Sequence, residues 1–176
     1  MSQLVKVSLA SAVMGVSLSA SVQANELNLA GQWQLQNAEN TQATLEAAVQ
    51  TVAKEMNFFI RALAKPVLRK QTQICDQWRL GWQNTTFHWQ CDDAEVDAVP
   101  VLAQRDWIKT DEEGVDILGT YQQGANSVVV IVESERGKRT NTWQRLGDNE
   151  LRYTAKLESE KLPTPLTWTL TYKRLP

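Results

Sequence analysis

Four residues with chemistry to offer sit two apart on one stretch: Arg139, Asn141, Trp143 and Arg145. On a β-strand that spacing sends all four side chains to one face. Two guanidiniums with an amide between them suit a carboxylate or a phosphate, because each presents a planar fork of donors. Tyr121, Tyr153 and Trp168 fall on the same face of neighbouring stretches and would wall such a pocket. The register turns on one loop. A three-residue turn at Gly147-Asp148-Asn149, with Asn149 left-handed, brings the arginines inside. A two-residue turn at Asp148-Asn149 puts Thr140, Thr142 and Gln144 inside and the arginines in water.

Other chemistry is thin. The single histidine, His88, has no cysteine or carboxylate cluster at metal-ligand spacing around it, so no metal or cofactor is expected. Past residue 24 the serines are Ser127, Ser134 and Ser159, and none stands in a G-x-S-x-G elbow. The acidic run from Asp92 to Asp97 lacks the spacing and turn glycine of a calcium loop. Two carboxylates that meet only in the fold remain the one open hydrolytic arrangement. The expectation is a protein that is not an enzyme.

The first 24 residues read as a secretory signal peptide: Lys6, an apolar run from Val7 to Leu18, then Val22-Gln23-Ala24 as a small-residue cleavage site. The apolar run is shorter than the ~20 residues a membrane span needs, and no later stretch is long enough. Residues 25–176 are therefore expected as one exported domain, periplasmic in a Gram-negative source. A net charge of −2 argues against nucleic acid as partner. In an oxidising compartment Cys75 and Cys91 are expected to form a disulfide.

The elements that must position these residues are mostly strands. About nine short apolar-alternating stretches separated by Gly, Asn or Pro turns predict an antiparallel meander, closed into a barrel or strongly curled. A two-residue turn at Asn84-Thr85 would pair Trp82 with Phe87, Leu80 with Trp89 and Trp78 with Cys91. That register leaves Cys75 on the wrong face for Cys91 unless the chain bulges before Trp78. One amphipathic helix, Thr41 to Lys65, follows the first strand and is stopped by Pro66, with a further turn over Val67 to Lys70 at a new angle left open. Its stripe of Leu45, Ala48, Val49, Val52, Met56, Phe59, Ile60 and Leu63 should lie against the outside of the sheet, behind the strand Val128 to Val132, leaving the inner face free. The back of the helix carries Phe58 among Lys54, Arg61 and Lys65. It is either a solvated basic face or a contact for an acidic protein partner or anionic lipid.

Gly31-x-Trp33 on a first strand followed by a meander resembles the calycins, which include lipocalins, fatty-acid-binding proteins and avidins. The resemblance implies a ligand-holding barrel, with Arg174 near the end of the last strand stacked across Trp33. Lipocalins place their helix after the last strand, and here it follows the first. The segments NFFIRALAKPVLRK and LPTPLTWTLTYKRL also look like those of a group of exported proteobacterial proteins, a likeness that implies no activity. The expectation is an exported binder of an amphipathic or anionic small molecule in a lipocalin-like barrel. The alternative is a cell-envelope interaction module working through the helix face around Phe58.

Overall fold

Ten antiparallel strands form one sheet in the computed structural model, which describes residues 28–72, 74–102 and 104–176. The expected leader lies outside them. The strands are β1 (Gly31–Leu35), β2 (Gln77–Gln83), β3 (Thr86–Cys91), β4 (Asp97–Pro100) and β5 (Asp106–Thr110), then β6 (Asp116–Gln123), β7 (Ser127–Ser134), β8 (Gly137–Arg145), β9 (Glu150–Glu158) and β10 (Leu166–Arg174). Their order is β4-β3-β2-β1-β10-β9-β8-β7-β6-β5. The sheet curls until β4 meets β5 and β6 without a hydrogen-bonded ladder, a nearly closed barrel. Lys109 on β5 crosses this seam to Asp97 on β4 at 2.5 Å. Gly119 on β6 makes the approach possible: a Cβ there would come within 2.8 Å of Ile108 Cγ1 and 3.1 Å of Val99 Cγ2.

The strands share one apolar inner face. Trp33 and Leu35, Trp78 and Leu80, Phe87 and Trp89, Val128 and Val130, Leu151 and Tyr153, and Leu166 to Tyr172 in alternation are all buried. The hairpin of β2 and β3 has the expected pairing, with Trp78 opposite Cys91 and Trp82 opposite Phe87, around a left-handed Asn84. Trp143 pairs with Tyr153, the register of the three-residue turn, so β8 sends its odd-numbered side chains inward. Asn149 is not left-handed; the three-residue length alone sets the phase. One strand was not anticipated. Asp97 to Pro100 forms β4, an edge strand where a proline without an N–H is tolerated.

The single helix expected over 41–65 is two, α1 (Ala38–Lys54) and α2 (Phe58–Gln71). Asn57 causes the break: its Oδ1 accepts the N–H of Ile60 at 3.0 Å and starts a new helix. Arg61 holds the corner by donating to the carbonyls of Ala53, Lys54 and Met56, each at 2.9 Å, at and just past the end of α1. Pro66 does not stop the helix. It lies within α2 on the exposed side, where the carbonyl it leaves unpaired can reach water. Among the described residues no helix is long and apolar enough to cross a membrane.

The helices also sit elsewhere than expected. Leu45, Val49, Val52 and Met56 of α1 and Leu68 of α2 join the same core as the inner strand faces, at the end of the barrel where β8 begins and β7 and β9 end. They cap that end rather than cover β7 from behind, and Val129 and Ile131 remain half-exposed. Arg61→Ala should therefore loosen the helix corner and lower stability by about 2 kcal/mol, the worth of hydrogen bonds from a charged donor. Urea denaturation reads the loss as a lower midpoint at unchanged slope.

Candidate functional site

Inside the capped end, β8 holds a small polar cluster in otherwise apolar surroundings. Arg139 donates from Nε to Asn141 Oδ1 at 3.1 Å and from a terminal nitrogen to the Tyr153 hydroxyl at 3.1 Å. The Tyr153 hydroxyl donates in turn to Asn141 Oδ1 at 2.7 Å. The Arg139 guanidinium carbon lies 5.4 Å from the centroid of the Trp168 ring. Every partner of Arg139 is neutral. Among the described residues no carboxylate comes within 4.0 Å of it, although the charge is turned inward and half-buried. Burial pushes the Tyr153 phenol up, with the charge of Arg139 pulling the other way, so Tyr153 stays a neutral hydroxyl.

Arg139 opens onto a cavity of about 370 Å³ between α2 and the barrel mouth. Val67 and Leu68 of α2 form its roof; Val132, Leu157 and Leu162 form apolar walls. That size lies within the range of small-molecule sites; besides Arg139 the lining includes Glu133, Arg136, Lys138 and Lys161, which the cavity shares with the groove outside it. Outside it a wider groove runs between the β7–β8 turn and the β9–β10 loop. Within it Arg105 pairs with Glu133 and Lys138 with Glu158, while Arg136 pairs outside it with Asp111 and Glu113.

The residues expected to form one pocket are divided by this geometry. Arg139, Asn141, Tyr153 and Trp168 meet below the capped mouth, and of the four Arg139 alone lines the cavity, the other three being buried beneath it. Trp143 lies deeper, within 5.7 Å of the rings of Trp78, Phe87 and Tyr153. Tyr121 lies 5.7 Å from Phe87, its hydroxyl accepting from Trp82 Nε1 and donating to Gln123. Arg145 stands at the far end of β8, where it pairs with Asp148 at 3.7 Å. The inner surface is thus not free along its length: packed rings fill the middle of the barrel, and space remains at the capped mouth. The roof residues Val67 and Leu68 were missed because the helix was expected against the outside of the sheet, away from its mouth. Of the four residues expected on the partner-binding face, Lys54 and Phe58 are exposed and Lys65 is half-buried, while Arg61 is spent on the helix corner.

At the other end the chain closes on itself. Trp33 donates its indole N–H to the Leu29 carbonyl at 2.9 Å, and the Arg174 guanidinium lies 4.5 Å over its ring. Arg174 also donates to the carbonyls of Asn28 and, at 3.0 Å, Ala30. Gly31 is required where it stands. Its φ of +132° strains any other residue, and a Cβ would come within 3.4 Å of the guanidinium.

Cys75 and Cys91 are both thiols, with sulfurs within 4.8 Å of each other. A bend at Asp76 resolves the conflict between their pairing and the hairpin register. The Asp92 carboxylate accepts the N–H groups of Asp76 and Gln77 and swings Cys75 back towards Cys91. The neighbouring Cys91 thiol and burial push the Cys75 thiol up.

The fold is a nearly closed antiparallel β-barrel with two helices after the first strand. No family model matches the chain, and no curated protein matches it in sequence. Among solved structures it is similar to the REP1-NXSQ fatty acid transporter, with a TM-score of 0.50 and 15% identity over 85% of this chain and 97% of that one. It is similar also to a secretory abundant heat soluble (SAHS) protein from Ramazzottius varieornatus, with a TM-score of 0.51 and 16% identity over 84% of this chain and 96% of that one. At such identities the likeness carries the architecture alone. Arg174→Met, which keeps the bulk but removes the charge and its donors, should destabilise the closed end by about 2 kcal/mol. A thermal melt unchanged by that substitution would show the stack to be idle.

Proposed function

We propose that the chain is an exported, non-enzymatic barrel that holds an amphipathic small molecule with an anionic head at the capped mouth. One observation carries this reading: an inward arginine with only neutral partners faces an apolar-walled cavity of about 370 Å³. A half-buried cation without a counter-charge is costly, and a carboxylate or phosphate head completes it. The indole N–H groups of Trp143 and Trp168 are buried without partners among the described residues, so the interior has donors to spare. The fatty acid transporter to which the fold is similar supports the same ligand chemistry. The periplasm, which the leader implies, is the compartment we assign.

Oleate and its neutral counterpart oleyl alcohol test the reading by displacement of a fluorescent fatty acid. The protein should bind the carboxylate, and Arg139→Met should weaken it roughly tenfold or more, the worth of a charge-assisted pair. The alcohol should bind alike to both forms. Equal loss for carboxylate and alcohol, or no binding of either, would end the proposal.

Export also implies a Cys75–Cys91 disulfide. The two thiols would pass two hydrogens to an oxidised thiol pair of the export machinery and gain one S–S bond. Intact mass of protein taken from the periplasm should be two hydrogens below that of the reduced chain. Two alkylatable thiols in the native protein would contradict it.

A further inference from the structure

The outer face of α2 is apolar where a surface helix should be polar. Phe58, Phe59, Leu63 and Val67 are 76%, 80%, 77% and 59% exposed. Phe59, Leu63, Pro66 and Lys70 follow one another at steps of four, three and four residues along one side of the helix, with Val67 beside them. Leu68 and Ala64 take the buried side. The helix contains Arg61, Lys65, Arg69 and Lys70 and no acidic residue. Arg61 is spent on the corner and Arg69 pairs with Glu46 at 2.7 Å. Lys54 and Lys70, at the two ends of the ridge, have no ion pair among the described residues; the acid nearest them in sequence is Glu55 in the corner.

We infer that α2 is an interfacial helix that seats the barrel on an anionic lipid surface. An exposed apolar ridge with cations at its ends and no carboxylate along it is the pattern of a helix lying in the headgroup boundary. Lys54 and Lys70 then meet lipid phosphates while the phenylalanines and Leu63 enter the acyl edge. A second copy of the chain is a poorer occupant. A ridge about 21 Å long and about 10 Å across offers well under the roughly 800 Å² per partner of a stable interface. The surface is continuous with the candidate site, since Val67 and Leu68 of the same helix roof the cavity. The inference does not need the cavity to be occupied.

Co-sedimentation with vesicles of equal phosphatidylglycerol and phosphatidylcholine, against vesicles of phosphatidylcholine alone, is the test. The protein should bind the anionic vesicles about tenfold more tightly, with the advantage fading as salt rises. The exposed pair Phe59→Ser and Leu63→Ser should cut binding roughly tenfold at an unchanged thermal midpoint. Arg139→Met should bind vesicles like the unaltered protein, which separates this inference from the ligand reading. Absence of binding to anionic vesicles at low salt, or equal binding by the double variant, would overturn it. So would a dimer in light scattering that the double variant dissociates, because the ridge would then belong to a second copy.

Discussion

The phase of the sheet is the constraint on which the rest depends. Side chains alternate across a strand with period two, so one slipped residue would exchange inside for outside along everything that follows. From β6 to β10 four turns in succession keep that phase, and each inner row meets the next: Tyr121 with Val130, Val128 with Trp143, Trp143 with Tyr153, Leu151 with Tyr172. Arg139 is inside only because this phase puts it there. Its two-residue offsets from Asn141 and Trp143 commit all three to one face. The large aromatic burial on that face makes the arrangement too costly to slip for the sake of one cation.

That commitment explains how the barrel divides. Rings of Trp78, Phe87, Trp89, Trp143 and Tyr153 stack and edge against one another with centroids 5.0 to 6.2 Å apart, and they fill the middle. Towards the capped end the inner face changes character. Val132, Leu157 and Ile117 are smaller, and Arg139 reaches back to Tyr153 and Asn141 instead of packing. Space therefore collects beneath α2. The closed end needs no such space, because the Arg174 guanidinium lies over the Trp33 ring and ties it to the chain entering β1.

What could be read from the sequence follows the same division between local and distant causes. The Asn84-Thr85 hairpin and the inward side of β8 are set by turn length and alternation, both written in a few adjacent residues, whereas the stack of Arg174 on Trp33 was implied by the calycin resemblance and needs the first and last strands to be neighbours. Spacing showed that the chain must depart from its register between Cys75 and Trp78 if the cysteines are to meet, but not what holds the bend there, the carboxylate of Asp92 across the hairpin. The helix corner was in principle available. Asn57 is a capping residue three positions before Ile60, but the uninterrupted apolar stripe on either side concealed it. β4 was hidden by its acidic flank and by Pro100, which a strand tolerates only at an edge, and edges are decided by closure. Cavity volume is not written in any local pattern, because it is the remainder after every ring has been placed.

The stripe itself shows where periodicity stops informing. Leu45, Val49, Val52 and Met56 are buried as an amphipathic pattern requires, while Phe59 and Leu63, in step with them, face outward. The corner at residues 55–57 rotates the second helix, so one continuous stripe becomes two faces with different neighbours. Period reports that apolar side chains share a side; it does not report what lies on that side. In α1 it is the barrel core. In α2 the core receives only Leu68 and Ala64, and the larger apolar groups are left at the surface with Lys54 and Lys70 at the ends of their ridge. An isolated soluble domain gains nothing from that exposure, since turning Phe59 or Leu63 inward would bury well over 1 kcal/mol of apolar surface each. The helix keeps them outside while Arg61 spends three hydrogen bonds holding the corner that prevents the turn.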